Sequence, residues 1–299
     1  MRLSINFITL TIFCLLLLIL IACSKDGKKK SGSSENKSNN AFVPDSSSEL
    51  TKYDLSNPSP ENIKLVPALK EISGLTITPE GKLFAQQDES GIIYQIDKSN
   101  GNIIKTFSLG DPPVKADFED IDYTDGKFFM LTNNGTLYKF TEGADKEAVE
   151  YEIFKTELKS SNDAEGLSFD SDTKSLLIAL KGISGEDYKN AKAVYSFSLD
   201  KNELNPEPRF TLQLSEIKKV FNPSGIRRHP VSGSFFIIAA NGNEIIEISK
   251  DGKLLNKHEL SAEVHKQPEG IAFDNENNLY ISNEGKGGNG YIVIYPYKR

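Results

Sequence analysis

Ala164-Glu165-Gly166-Leu167-Ser168 leads, after a turn, into the aliphatic run LLIAL at 176–180, and it has four counterparts in the chain. They are Glu71-Ile72-Ser73-Gly74-Leu75, Phe118-Glu119-Asp120-Ile121-Asp122, Pro223-Ser224-Gly225-Ile226-Arg227 and Pro268-Glu269-Gly270-Ile271-Ala272. Each joins an acidic or small residue to a glycine, or its stand-in, and then to an aliphatic side chain. Anchored on Glu71, Glu119, Glu165, Ser224 and Glu269, the units recur after 48, 46, 59 and 45 residues. Self-similarity at such a period is the mark of a repeat architecture.

Each unit continues alike. A second aliphatic strand follows at 83–87, 128–132, 176–180, 235–240 and 279–283, and a third begins near 91, 135, 193, 243 and 290. Four units offer a fourth strand, at 102–109, 149–156, 209–216 and 254–261. Short alternating or aliphatic runs bounded by Gly, Asn and Asp are strands joined by tight turns. Four antiparallel strands in about 45 residues make a β-propeller blade. The last unit stops after three strands, and Asn62-Ile63-Lys64-Leu65-Val66 can supply the missing one, closing the ring and removing a free edge. The expected fold is all-β, a five-bladed propeller. Six blades are the alternative, with room only between Glu165 and Ser224, where 182–192 read as a loop insertion. A β-sandwich would not repeat one motif at every unit, and a Trp-Asp propeller is excluded by the lack of any Trp.

In a propeller the first strand of each blade lines the central channel, so equivalent positions converge on the axis. Glu71, Glu119, Glu165 and Glu269 are therefore expected near one mouth. Carboxylates so crowded need raised pKa values, basic partners or a metal ion. All-oxygen donors suit Ca²⁺, with Mg²⁺ as the alternative. The competing reading gives the glutamates a purely structural role, accepting N–H bonds at the blade starts. Ser224 interrupts the ring. Arg227, or its neighbour Arg228, can point inward and neutralise a carboxylate, and Lys181 and Asn283 are further polar candidates for the channel. Asp163, Gln87, Asp88, Glu89, Asn133, Asn241 and Glu284 can face the same region. No cofactor loop and no catalytic nucleophile stands out: G-x-S-x-G, H-E-x-x-H and the P-loop are all missing, and the three histidines form no close pair.

The N-terminal part is of another kind. Residues 1–22 carry Arg2 and then the uncharged run FITLTIFCLLLLILIA, which reads as an export signal. Leu20-Ile21-Ala22-Cys23 resembles the lipobox of bacterial lipoproteins, which implies that Cys23 becomes a lipidated N-terminus; an uncleaved membrane anchor is the alternative. Residues 23–58 are rich in Ser, Asn and Lys and read as a flexible tether, leaving 59–299 for the propeller. After Cys23 the chain runs Ser24-Lys25-Asp26 and on into lysines, unlike the acidic signals for the cell surface, so a lipid-anchored site in the bacterial envelope, on the periplasm-facing outer membrane, is expected. Of the net charge of -7, residues 1–22 hold one positive charge, and residues 23–40 hold five lysines against two acids. The rest carries 11 net negative charges, which argues against nucleic acid as a partner.

The E-x-S-G-L, E-D-I, A-E-G-L and P-E-G-I motifs at blade spacing resemble the SdiA-regulated β-propeller proteins over about residues 60–299. More distant likenesses run to the esterase-like phytases and the NHL and SMP-30-type propellers. The resemblance implies an exported propeller with a calcium-associated channel, and it maps the family's motif glutamates onto Glu71, Glu119, Glu165 and Glu269, with Ser224 departing. Three functions are then open. The first is a membrane-anchored binding or scaffold module for a small molecule or an envelope protein, with Ca²⁺ at the channel. The second is a metal-dependent hydrolase of phosphoesters or lactones, for which Lys181, Arg227 and Arg228 would be the phosphate-binding groups. The third is a structural part of an envelope complex.

Overall fold

The computed structural model describes residues 42–57 and 60–299. The export signal 1–22, Cys23 and the tether as far as residue 41 lie outside the described residues, as do residues 58 and 59. Among the described residues no helix is long and apolar enough to cross a membrane.

The strands fall into five small sheets, one per motif. Blade 1 comprises Ile72–Ile77, Leu83–Gln87, Ile92–Ile96 and Ile103–Leu109. Blade 2 comprises Phe118–Thr124, Lys127–Thr132, Thr136–Phe140 and Tyr151–Lys155. Blade 3 comprises Ala164–Asp170, Ser175–Leu180, Ala191–Ser198 and Phe210–Gln213, with the short Glu203–Leu204 beside its third strand. Blade 4 comprises Asn222–Arg228, Phe235–Asn241, Glu244–Ile248 and Leu254–Glu259. Blade 5 takes Pro268–Phe273, Leu279–Asn283 and Tyr291–Tyr295 from the end of the chain and Glu61–Lys64 from its beginning. Ile63 pairs with Ile292 in antiparallel register, so the expected closing strand is present. Residues 182–192 hold a loop with one short 3-10 turn, Glu186–Tyr188, and make no sixth blade. One addition has no counterpart in the repeat: Glu147–Val149 pairs in parallel with the outer strand of blade 1.

The core is divided accordingly. Five apolar clusters fill the five seams between neighbouring blades. The seam of blades 1 and 2 is aromatic, with Phe84, Phe107, Phe118, Phe128 and Phe140 packed together. Inner strands are buried on both faces, which explains why they do not alternate cleanly between apolar and polar. They also approach one another closely at the axis. A Cβ on Gly225 would stand 2.5 Å from the Glu269 carbonyl oxygen, and one on Gly270 would stand 2.6 Å from that of Ser73. Only glycine leaves room there.

The tether reading needs correction at its end. Residues from Val43 onward belong to the same compact unit as the blades. A 3-10 turn, Glu49–Lys52, lies in this segment, and Leu50, Tyr53 and Leu55 are buried in the seam of blades 4 and 5. Burial of each such side chain is worth about 1.5–3 kcal/mol. The buried carboxylate of Glu247 fixes the segment. It accepts bonds from the Ser48 hydroxyl at 2.6 Å and from the backbone N–H groups of Glu49 and Leu50 at 3.2 and 2.9 Å.

Candidate metal centre at the channel mouth

The inner strands all begin at one mouth, and their pairing with the second strands sets which residues are equivalent. Leu75 pairs with Ala85, Ile121 with Met130, Leu167 with Ile178, Ile226 with Ile237 and Ile271 with Ile281. Two residues before each of these stand Ser73, Glu119, Glu165, Ser224 and Glu269. The ring is therefore three glutamates and two serines. Glu71 lies two residues outside this register, with its side chain 43% exposed and Lys70 at 3.4 Å. Its charge still reaches the mouth, where it raises the pKa values of Asp88 and Glu284, both already raised chiefly by burial.

Glu119, Glu165 and Asp163 form the centre: one carboxylate oxygen of each lies within 4.8 Å of the others. Asp163 sits at the end of the loop before blade 3 in the left-handed region, φ 50°, which Asp tolerates better than most residues. Its carbonyl accepts the Lys181 backbone N–H at 2.8 Å, joining the entry of blade 3 to the end of its second strand. Lys181 turns its ammonium onto Glu165 at 2.6 Å. Burial works against that charge, but the attraction of Glu165 prevails and lifts the lysine above its ordinary pKa.

The carboxyls respond to crowding as expected. Glu119 is raised strongly, first by burial and then by the charges of Glu165 and Asp117. Glu165 is raised less, because Lys181 opposes its burial. The neighbouring Glu119 carboxyl also eases the rise of Glu165. Burial, aided by Glu165, pushes Glu269 up to about 8, and Gln267 donates to it at 2.7 Å. At neutral pH the mouth thus holds protons that a divalent ion would displace.

Other expected members are occupied elsewhere. The Ser224 hydroxyl donates to the Pro268 carbonyl at 2.7 Å and ties blade 4 to blade 5. Asn283 is fully buried, contacts His265 Nδ1 at 3.2 Å and donates to the Ile281 carbonyl. Asn133 donates to the Asp117 carboxylate, and Gln87 to the Ser90 hydroxyl. Arg227 does neutralise carboxylates, but those of Asp120 and Asp122, deeper in the channel. The sequence reading passed over these two aspartates. The signal for Asp120 was the repeat itself, since it stands where the other four units carry Gly74, Gly166, Gly225 and Gly270.

The SdiA-regulated family profile matches residues 60–286, which is the ring from its closing strand to the last hairpin of blade 5. The chain belongs to the SdiA-regulated family. Among curated proteins no relative of this SdiA-regulated chain is found. Several solved structures share its fold. A glutaminyl cyclase of Myxococcus xanthus is 12% identical, with a TM-score of 0.55, over 80% of this chain and 94% of the other. A luciferin-regenerating enzyme is 13% identical, with a TM-score of 0.53, over 80% and 95%. A glucose dehydrogenase is 12% identical, with a TM-score of 0.53, over 78% and 99%. At these identities the likeness is one of fold.

Proposed function

We propose that this chain is a binding propeller, held at a bacterial envelope membrane through a lipidated Cys23, whose glutamate mouth takes a calcium ion and presents it to a small-molecule or protein ligand. The observation that carries the reading is the group of Glu119, Asp163 and Glu165 oxygens within 4.8 Å. Calcium bonds oxygen at about 2.3–2.6 Å, so donors up to about twice that distance apart can share one ion. The donors are all hard carboxylate oxygens, which fits calcium and magnesium better than zinc. Glu119, Asp163 and Glu165 would hold the ion, with Glu269 beside them. A bound ion would add positive charge to a site where Lys181 pairs with Glu165 and Lys192 stands near Asp163, and would leave coordination positions for an oxygen-bearing ligand.

Binding is favoured over hydrolysis by the state of the basic groups. A phosphoester hydrolase needs a cation free to meet phosphate beside the metal. Lys181 is engaged by Glu165, Arg227 by two aspartates and three carbonyls, and Arg228 by Asp170 and Asp172. The acidic surface also argues against a nucleic-acid partner.

The test is a metal analysis of the purified full chain after dialysis, paired with its melting temperature with and without chelator. The expected result is about one divalent ion per chain and, for calcium at about 100 times its Kd, a chelator shift of roughly 5–10 °C. Absence of both the ion and the shift would sink the reading. For the anchor, Cys23→Ser should abolish incorporation of labelled palmitate; undiminished labelling would contradict it.

A further inference from the structure

We propose that the propeller axis is a guanidinium site, filled in cis by Arg227. Arg227 stands on the inner strand of blade 4, and its side chain is 9% exposed. Nε donates to the Ile271 carbonyl of blade 5 at 2.9 Å. Nη2 donates to the Leu75 carbonyl of blade 1 and the Ile121 carbonyl of blade 2, both at 3.0 Å. Leu75, Ile121 and Ile271 are equivalent residues of their blades. Three carbonyls of one ring level thus converge on one planar cation, which a fork of N–H donors satisfies and an ammonium does not.

The carboxyl partners come from blade 2. Nη1 pairs with Asp122, and Nη2 stands 3.7 Å from Asp120, which is fully buried. Asp120 exploits the repeat. A Cβ on Gly74 would lie 2.4 Å from the Asp120 carboxyl, so that carboxyl uses the space that a glycine of blade 1 leaves. The aspartates then reach blade 3: Asp120 accepts the Leu167 N–H at 2.7 Å and Asp122 the Phe169 N–H at 2.6 Å. Every blade is joined to this hub. The departures of blades 2 and 4 from the repeat are one device, an internal guanidinium with two carboxyl groups beside it. The same group forms part of the lining of a cleft of about 230 Å³ at the other mouth, with Thr76, Asp122 and Ser168.

A site of this kind, emptied of its side chain, should accept a free guanidinium ion. The experiment uses the full chain carrying Arg227→Ala and follows its melting temperature. Methylguanidinium chloride is added to tens of millimolar, with equal concentrations of sodium chloride and tetramethylammonium chloride as controls. Removing one partner of a buried pair should lower the melting temperature by roughly 6–20 °C. Methylguanidinium should restore part of the loss in a saturable way, while neither control does and the unaltered protein is not stabilised. An unchanged melting temperature in the variant, or a loss that methylguanidinium does not reduce, would overturn the proposal. If Arg227→Ala yields no folded protein, Arg227→Lys serves: it keeps the charge without the fork. A melting temperature below that of the unaltered protein supports the proposal, and one equal to that of the unaltered protein overturns it.

Discussion

Glu119, Asp163, Glu165 and Glu269 share one mouth with the ammonium of Lys181, which pairs with Glu165, and that of Lys192, whose charge is felt by Asp163. The pH dependence of the metal-free protein follows from this. A carboxyl whose folded pKa is raised binds its proton more tightly in the folded state, so stability falls as pH rises from the unfolded value to the folded one. For Glu269 that window runs from about 4.5 to about 8. Buried His229 and His265, lowered to about 4, act in the opposite sense below about pH 6.5, so in chelator thermal melts at pH 7, 7.5 and 8 should show declining stability, and calcium should remove most of the decline; a flat profile over that interval would contradict the raised values. Substitutions should divide by register. Glu165→Gln should abolish the calcium-induced rise in melting temperature, whereas Glu71→Gln should leave most of it. The distinction was legible only in part. Glu71 precedes Leu75 by four residues, whereas Glu165 precedes Leu167 by two, so the offset can be read from the residues. That Ser73, and not Glu71, takes the ring position rests on the pairing of Leu75 with Ala85, which a single strand does not reveal.

Among the elements, the strands were the most legible, because each blade repeats the same aliphatic runs between the same turn residues. The closing strand was read from a missing partner, and its packing makes it testable. Ile63 is 5% exposed in the seam of blades 5 and 1, so Ile63→Ala should cost about 2–5 kcal/mol in urea denaturation. The segment 45–57 was not legible. Its serines and acids suggest a solvated chain, and its apolar residues are too few to show a period. It is ordered by a partner distant in sequence, Glu247, which also accepts the Ser234 hydroxyl at 2.6 Å. Glu247→Ala would leave two hydroxyls and two backbone N–H groups without their acceptor. The expected loss is about 3–5 kcal/mol by urea denaturation, against about 1–2 kcal/mol for Glu247→Gln. A loss below about 0.5 kcal/mol for the alanine variant would mean that the segment contributes little to the fold.

For the whole molecule, ring closure and the hub at Arg227 have a joint consequence. Five seams, each with its own apolar cluster, make the blades interdependent, while the hub fills the channel between its two mouths. The acidic mouth then ends on this hub, two residues further along the inner strands, and the proposed cation would stop there. The 11 net negative charges outside residues 1–40 favour the approach of cations at low salt. The measurement that tests the central claim most directly is a calorimetric titration of calcium into the chelator-treated full chain at pH 6 and pH 8, beside Glu165→Gln. The account predicts saturable binding near one ion per chain, tighter at pH 8 as the mouth gives up its protons, and severely weakened in the variant. Binding absent at both pH values, or equal in the variant, would contradict it.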